Sequence, residues 1–217
     1  MNNNTDGVDL GNTNQTWSGW GYDLVLEQIS SEDTAQIDLN PLFDYVSGHE
    51  TCFLEFKATP FFPDQKFSKD NPFGYKEGES SDDYAWNVAK AIIALANTAG
   101  GAIILGVSDK GHEPIERICK KKWEGKLWDK FSTTIREQII KEKYSVFDKE
   151  KNQKRLITIE NTYCEKLRSR CDIRCCHYKN HITPLILVPA IQDSDQRIWA
   201  KDGEKEFLLV RSRGDVG

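Results

Sequence analysis

The sequence predicts a fold of the α+β class (mixed α/β), because helical and strand patterns alternate along the chain. Apolar residues recur at helical spacing from about residue 82 to residue 97. A continuous apolar run at 102–107, with paired isoleucines, is typical of a strand that is covered on both faces. These two patterns lie next to each other, so the chain is expected to pack helices against a β-sheet.

The N-terminal part is predicted to differ from the rest. Residues 1–16 are rich in asparagine and poor in apolar side chains, which predicts a disordered leader. Residues 17–47 are predicted to form a helical extension, with helices at about 22–30 and 39–47. Residues 48–217 are predicted to form one domain, because a chain of this length can bury one sizeable core.

The first half of the domain is predicted to contain a strand, a long loop and a helix. The strand is expected at about 52–58. Residues 59–82 hold several prolines and many polar residues, and loops of that length are often functional. Asp82 or Asp83 is expected to cap the helix that runs to about Asn97.

The later elements follow from similar patterns. Gly100 and Gly101 are expected to end the helix in a tight turn before the apolar strand. An amphipathic helix is expected at about 124–142, with one apolar stripe formed by Leu127, Phe131, Ile135 and Ile139. Further strands are expected at 154–161, 184–191 and 206–212, with a turn at Asp202-Gly203 before the last one.

Composition limits the functional classes. The chain has 38% hydrophobic and 29% charged residues, which is typical of a globular protein. No apolar run approaches the roughly 20 residues of a membrane span, and the start lacks the pattern of a signal peptide. A cytoplasmic location without membrane attachment is therefore expected. There the six cysteines are expected to be buried thiols or metal ligands instead of disulfides.

Charge is distributed unevenly along the chain. Residues 1–60 hold ten acids and one base, Lys57, whereas residues 110–179 hold nineteen bases and eleven acids. This basic excess could form a favourable face for a polyanion. Solvated helices and loops would account for it equally well.

Three acids and one lysine flank the two predicted strands. Glu55 and Lys57 are two residues apart, so they share one face of a strand, whereas Glu50 would need a bend to join them. Asp109 follows the apolar strand, where functional groups of such sheets collect. Gathered carboxylates repel one another unless a cation lies between them, and Mg²⁺ or Mn²⁺ prefers oxygen ligands. Surface carboxylates beside ordinary strands are the alternative.

The motifs together resemble a known family. Glu50-x4-Glu55-Phe-Lys57, the turn Asn97-Thr98-x-Gly100-Gly101, Gly106-Val107-Ser108-Asp109 and a final strand that ends in Arg211-Ser212 resemble the AlbA-like domain of Schlafen proteins. The resemblance covers roughly residues 40–213, and the 59–82 loop is longer than usual. It implies a mixed β-sheet flanked by helices.

The resemblance also implies an activity. Schlafen nucleases are metal-dependent endoribonucleases that cut structured RNA such as tRNA. Carried over, it implies Glu50, Glu55 and Asp109 as catalytic acids that hold Mg²⁺ or Mn²⁺. The charge of Lys57 suits it to neutralise a phosphate oxygen, so it is a further candidate catalytic residue. A role as a toxic effector in bacterial antiphage defence would follow.

Two alternatives to RNA cleavage remain open. Some bacterial relatives carry the domain in regulators, which suggests a nucleic-acid-binding module without catalysis. The Glu55-Phe-Lys57 pattern also suggests a DNA nuclease. That class needs an acid at the tip of a preceding strand, and Asp44 lies in a predicted helix.

Partners follow from the same resemblance. The mammalian relatives pair two lobes into a clamp around RNA, so this one-lobe chain is expected to form a homodimer, and an additional regulatory domain or partner is conceivable. The residues expected to contact the RNA backbone are Lys120, Lys121, Lys122, Arg168, Arg170 and Arg174.

A structural zinc site is a further candidate. Cys171, Cys175, Cys176 and His177 are close in sequence, and the family's mammalian members carry a zinc with an adjacent cysteine pair. The usual Cys-x2-Cys spacing is absent here. Adjacent cysteines in a strand also face opposite ways, so one of them is equally compatible with the core.

The Asn97–Gly101 turn is a candidate for phosphate binding, since glycines let backbone amides approach an anion. It follows a helix instead of opening one, and no Gly-x4-Gly-Lys-Ser/Thr motif is present. ATP hydrolysis by a P-loop is therefore not expected.

Overall fold

The computed structural model describes residues 25, 37–38, 51–58, 80–108, 112–115, 125–191, 196–212 and 215–216. The class is α+β, as predicted. Most of the predicted leader and N-terminal extension lies outside these residues. Within the extension, Val25 is helical, and residues 37–38 form a strand that the sequence did not predict.

The larger sheet has five strands and mixed direction. Its strands are β1 (Ile37–Asp38), β2 (Leu54–Lys57), β3 (Gly101–Leu105), β6 (Asp172–Tyr178) and β7 (His181–Val188), in the order β1-β6-β7-β3-β2. β2 and β3 are parallel, whereas β7 is antiparallel to both β3 and β6. The edge strand β2 therefore lies beside the fully buried strand β3.

The second sheet has four antiparallel strands. They are β4 (Lys143–Asp148), β5 (Gln153–Ile159), β8 (Trp199–Asp202) and β9 (Lys205–Leu208), in chain order. The turn between β8 and β9 contains Gly203 at φ 61°, which confirms the predicted Asp202-Gly203 turn. The short strands β10 (Arg211–Ser212) and β11 (Asp215–Val216) pair with each other.

Helix α1 (Ser81–Ala96) connects the parallel strands β2 and β3, as such pairs require. The expectation that Asp82 or Asp83 caps it was wrong, because Ser80 is the N-cap and Asp83 completes a capping box with it. The two aspartates also accept the backbone N–H groups of Ser145 and Phe147, at 2.7 and 2.6 Å. The first turn of α1 thereby covers the exposed edge of β4.

The predicted second helix is α2 (Gly125–Thr134), which continues as a π-helical turn over Ile135–Ile139. Its predicted stripe is confirmed, since Phe131, Ile135 and Ile139 are buried and Leu127 packs against the core. The sequence did not predict α3 (Asn161–Arg170), which buries only Cys164 and Leu167. No helix in the described ranges combines the length and apolar character that a membrane crossing demands.

Two apolar cores lie on opposite faces of the five-stranded sheet. One contains α1, the second sheet and the side chains of Ile103 and Leu105 from β3. The other contains Ala102 and Ile104 from β3, with Leu54 and Phe56 from β2. Because side chains alternate along a strand, Glu55 and Lys57 lie on the face that α1 covers.

Candidate functional site around Glu55

Glu55 is the center of a charged cluster at the edge of the larger sheet. Its side chain is buried, with only 3% of the residue exposed. One carboxylate oxygen pairs with the ammonium of Lys57, which confirms that these two side chains point the same way. Glu50 and Asp109, the other two predicted acids, lie outside the described residues.

Arg211 is the second ion-pair partner of Glu55. Its guanidinium is completely buried and donates from Nη1 to the other carboxylate oxygen. Nε and Nη2 also donate to the carbonyl of Thr51, at 3.2 and 2.9 Å, and Nη2 donates to the carbonyl of Leu54 at 3.3 Å. A residue from the end of the chain thereby fixes the beginning of β2. Sequence reasoning matched Arg211 to the final strand of the resembled domain but assigned it no role in the site, since its partner lies 156 positions away.

The Asn97-Thr98 turn holds the segment that carries Arg211. Asn97 is buried, donates to the carbonyls of Ile198 and Leu209 at 2.9 and 3.0 Å, and accepts from the Ile198 N–H at 2.8 Å. Thr98 Oγ1 accepts the Arg211 N–H at 3.0 Å and donates to the Ala94 carbonyl at 2.7 Å. Both side chains therefore act as structural anchors.

Gly101 allows β3 to approach the start of β2 closely. Its φ is +143°, and a Cβ there would lie 2.0 Å from the carbonyl oxygen of Phe53. That same carbonyl accepts the N–H of Ala102 at 2.8 Å. The glycine thus serves strand packing beside Glu55.

Lys90 on α1 is a third cation near Glu55. It is half-buried, and burial lowers the pKa of its ammonium. The charge of Lys57 lowers this pKa further, while Glu55 raises it in part. In the described part of the cluster, Lys57 and Arg211 pair with Glu55, and Lys90 adds a third positive charge to the electrostatic surroundings.

Glu55 has the donor chemistry that the predicted metal requires, because a carboxylate is a hard oxygen ligand for Mg²⁺ or Mn²⁺. The remaining ligands would come from Glu50 and Asp109. Among the described residues alone, no three His, Cys, Asp or Glu side chains are grouped so that they could hold a metal ion. Lys57 and Arg211 each engage one Glu55 oxygen, so a metal would bind at the remaining lone pairs of this carboxylate or displace one of the two cations.

Cys176 is separated from the other candidate zinc ligands, and the described residues contain no group of three His, Cys, Asp or Glu side chains that could hold a metal ion. Cys175 packs against the core that contains α1, whereas Cys176 lies in the opposite core and donates to the Thr183 carbonyl at 3.2 Å. Cys171 is buried at the end of α3. Burial raises the pKa of the Cys171 and Cys175 thiols to about 12, whereas zinc binds the deprotonated form. His177 follows Cys176 on β6, so its side chain lies on the same face of the strand as that of Cys175.

The predicted RNA-binding residues are only partly described. Lys120, Lys121 and Lys122 lie outside the described residues. Arg168 donates from Nε to the Ile140 carbonyl at 2.8 Å, and Arg174 pairs with Asp172. Arg170 is exposed on the last turn of α3. Arg168 and Arg174 therefore have intramolecular partners.

A family model described as Schlafen, AlbA_2 matches residues 50–206, which is most of the chain. The matched segment begins at the first predicted acid and includes Glu55, Lys57 and Lys90. None of the curated proteins matches the chain's sequence.

Proposed function

Because the chain belongs to the Schlafen AlbA_2 family, we propose that it is a metal-dependent endoribonuclease that cleaves structured RNA such as tRNA. The observation that carries this proposal is the buried Glu55 carboxylate, held between Lys57 and Arg211 at the edge of the sheet. A carboxylate at this edge of the sheet also supplies the hard oxygen ligand that a divalent metal requires. A role in antiphage defence would follow from such an activity.

In this proposal, Arg211 and Lys57 have different tasks. Arg211 is fully buried and bonds the Thr51 and Leu54 carbonyls, so it keeps Glu55 in place during the reaction. The Lys57 side chain is 16% exposed and would exchange its ion pair with Glu55 for a non-bridging phosphate oxygen. Lys57 would then neutralise charge that develops on the phosphate in the transition state.

Mg²⁺ or Mn²⁺, held by Glu55 together with Glu50 and Asp109, would activate the nucleophile and stabilise the phosphate charge. Release of Lys57 from Glu55 would free one carboxylate oxygen for that role. Binding of the substrate phosphate by Lys57 would thus also prepare Glu55 to bind the metal.

A nucleic-acid-binding module without cleavage is the second candidate. The observation that favours it is that a cation engages each oxygen of Glu55, so the described geometry already balances the charge of this carboxylate without a metal. In that case the cluster would grip phosphate and cut nothing. A homodimer that closes two lobes around RNA fits either candidate.

The test is a cleavage assay on the purified full chain. Total tRNA, single-stranded DNA and double-stranded DNA are each incubated with Mn²⁺ or with a chelator. Glu55→Gln is compared with the wild type and with Glu137→Gln, a control at an exposed glutamate on the π-helical turn. Lys57→Met is a second site variant in case Glu55→Gln fails to fold, and thermal unfolding checks each variant.

The outcomes separate the candidates. Metal-dependent RNA cuts that Glu137→Gln retains and Glu55→Gln loses support the proposed nuclease. RNA binding without cuts favours the binding module, and cuts in DNA alone favour a DNA nuclease. RNA cleavage that survives in both site variants would contradict the assignment of this cluster. Light scattering of the same samples tests the homodimer.

A further inference from the structure

We infer that a cleft beside the second sheet binds one unpaired nucleobase of the RNA, which stacks on Trp199. The inference rests on the proposed function only in taking RNA as the ligand, and the cleft shares no residue with the Glu55 cluster. Its volume is about 310 Å³, at the lower end of the range of about 300–1,000 Å³ for small-molecule sites, so it suits one base-sized group. Six of the residues that line it are Thr158, Glu160, Tyr163, Trp199, Lys201 and Glu206.

The register of the second sheet places Trp199 on its solvent-facing side. Thr158 of β5 lies directly opposite Lys201 of β8, and Trp199 is two residues from Lys201, so these three side chains share one face. Ala200, between Trp199 and Lys201, points to the apolar core instead. Trp199 is 44% exposed, so much of its aromatic ring is available to a ligand.

Three of the four large apolar side chains that the described residues expose lie on this same face, namely Trp199, Leu156 and Phe147. Leu156 precedes Thr158 by two residues on β5, so it shares this face. Phe147 of β4 lies directly opposite Lys154, which precedes Leu156 by two residues. Scattered exposed apolar residues need no explanation, whereas several on one face mark an interaction surface.

Lysines lie among these apolar side chains and give the face a positive excess. Lys143 of β4 and Lys201 of β8 lie opposite Thr158 on its two sides, and Lys154 lies on the same face of β5. Against these three lysines, the described strands place one carboxylate on this face, Glu206, which pairs with Lys201 at 2.7 Å. Rings among lysines suit a single-stranded nucleic acid, because bases stack on the rings and phosphates pair with the ammonium groups.

The cleft itself suits a base better than a phosphate or a cation. Two of its lining residues are glutamates, and carboxylates accept hydrogen bonds from the N–H groups of a base but repel phosphate. A cation is disfavoured by Lys201 in the cleft and by Lys166, whose ammonium lies 5.7 Å from the centre of the Tyr163 ring. Because Lys166 already covers one face of that ring, Trp199 is the aromatic wall on which a base stacks.

The experiment measures the affinity for a short single-stranded RNA of mixed sequence by fluorescence anisotropy, with chelator present to prevent cleavage. The wild type is compared with Trp199→Ala and with Trp199→Phe, which keeps an aromatic ring. Ile182→Ala is the matched control, since Ile182 is an exposed apolar side chain on β7 of the larger sheet. Thermal unfolding checks each variant, and Trp199→Leu replaces Trp199→Ala if the latter does not fold.

A second probe isolates the base. It is an oligonucleotide of the same length whose units are abasic, so that it keeps the phosphates and offers nothing to stack. We expect Trp199→Ala to bind the ordinary RNA about 5- to 150-fold more weakly than the wild type, the usual effect of losing one stacked base. Trp199→Phe is expected to keep most of the affinity, and the abasic strand is expected to bind the wild type and Trp199→Ala equally.

Three results would overturn the inference. One is a folded Trp199→Ala protein that binds the ordinary RNA as tightly as the wild type or no more weakly than Ile182→Ala. Another is an equal loss on the abasic strand, which would indicate an effect on phosphate contacts. The third is a wild type that binds no single strand, whether it binds a lysine-rich peptide through Trp199 or forms a dimer that Trp199→Ala dissociates.

These results are distinguishable from a failure of the proposed function. If the wild type binds the single strand but cuts no RNA when Mn²⁺ is added, the nuclease proposal fails while the Trp199 comparison still decides the inference. If the wild type and Trp199→Ala cut tRNA at equal rates and bind RNA equally, the nuclease proposal stands and the inference fails.

Discussion

The Glu55 cluster and the cysteine segment 171–177 are both candidate sites in the sequence, yet the fold treats them in opposite ways. In the cluster, Glu55 of β2 pairs with Arg211 of β10, which lies 156 positions away along the chain. In the cysteine segment, Cys175, Cys176 and His177 lie in β6, and a strand sends neighbouring side chains to opposite faces. Residues that are adjacent in sequence are therefore separated here, whereas residues that are distant in sequence are brought together.

The largest expected effect is the loss of Arg211. Arg211→Met leaves Glu55 with one partner fewer and removes all three hydrogen bonds to the Thr51 and Leu54 carbonyls. Removing one partner of a buried ion pair costs about 3–5 kcal/mol of unfolding free energy, measured by urea denaturation. The control Arg155→Met breaks an exposed pair with Asp202 and is expected to cost about 0–1 kcal/mol. Equal losses of unfolding free energy in Arg211→Met and Arg155→Met would contradict a structural role for Arg211 beyond that of an exposed ion pair.

Asn97→Ala is expected to have the next largest effect. Its amide makes three buried hydrogen bonds to Ile198 and Leu209, and their loss leaves backbone groups unsatisfied. We expect a cost of about 2–4 kcal/mol in the same assay. Asn161→Ala, which removes an exposed contact with Glu165, is the control and is expected to cost about 0.5 kcal/mol or less. A small loss for Asn97→Ala would mean that the final segment is anchored elsewhere.

The cysteine segment is expected to respond weakly. Cys175→Val replaces a partly buried thiol by an apolar side chain of similar size, so the unfolding free energy is expected to change by less than about 1.5 kcal/mol. The melting temperature of the wild type is also expected to stay the same when a zinc chelator is added. Chelator-sensitive melting, together with a large loss in Cys175→Val, would show that these residues do bind a metal.

The smallest expected effect concerns pH. The pKa of Lys90 is lower in the folded chain than its usual 10.5, so the unfolded state binds more protons between these two values. Stability that depends on Lys90 therefore rises with pH across that window. Lys90→Met is expected to lack this rise and to be no less stable than the wild type at neutral pH. A clear loss of stability in Lys90→Met would indicate a favourable ion pair instead of an uncompensated charge.

Local patterns predicted the central elements of the fold well. The helical spacing of Trp86, Ala89 and Ile93 predicted α1, and the apolar run at 102–107 predicted β3. β4 was missed although Tyr144 and Val146 alternate with polar residues, which is a readable strand signal. α3 and β6 had weaker signals, because α3 buries two residues and β6 reads as a polar segment.

The site could be predicted only in part. Alternation along a strand was enough to pair Glu55 with Lys57, because both lie on one element. Arg211 reaches Glu55 through the course of the final segment, which no local pattern reports. The Asn97-Thr98 motif was recognised, but its hydrogen bonds to residues 101 to 113 positions away were beyond sequence reasoning.

The rate of tRNA cleavage by Glu55→Gln, relative to Glu137→Gln in the same Mn²⁺ buffer, tests the central claim most directly. We expect Glu55→Gln to be at least about 100-fold slower while it remains folded, because the loss of a catalytic carboxylate has effects of that size. Equal rates for the two folded variants would contradict the claim that Glu55 lies at the center of a nuclease site.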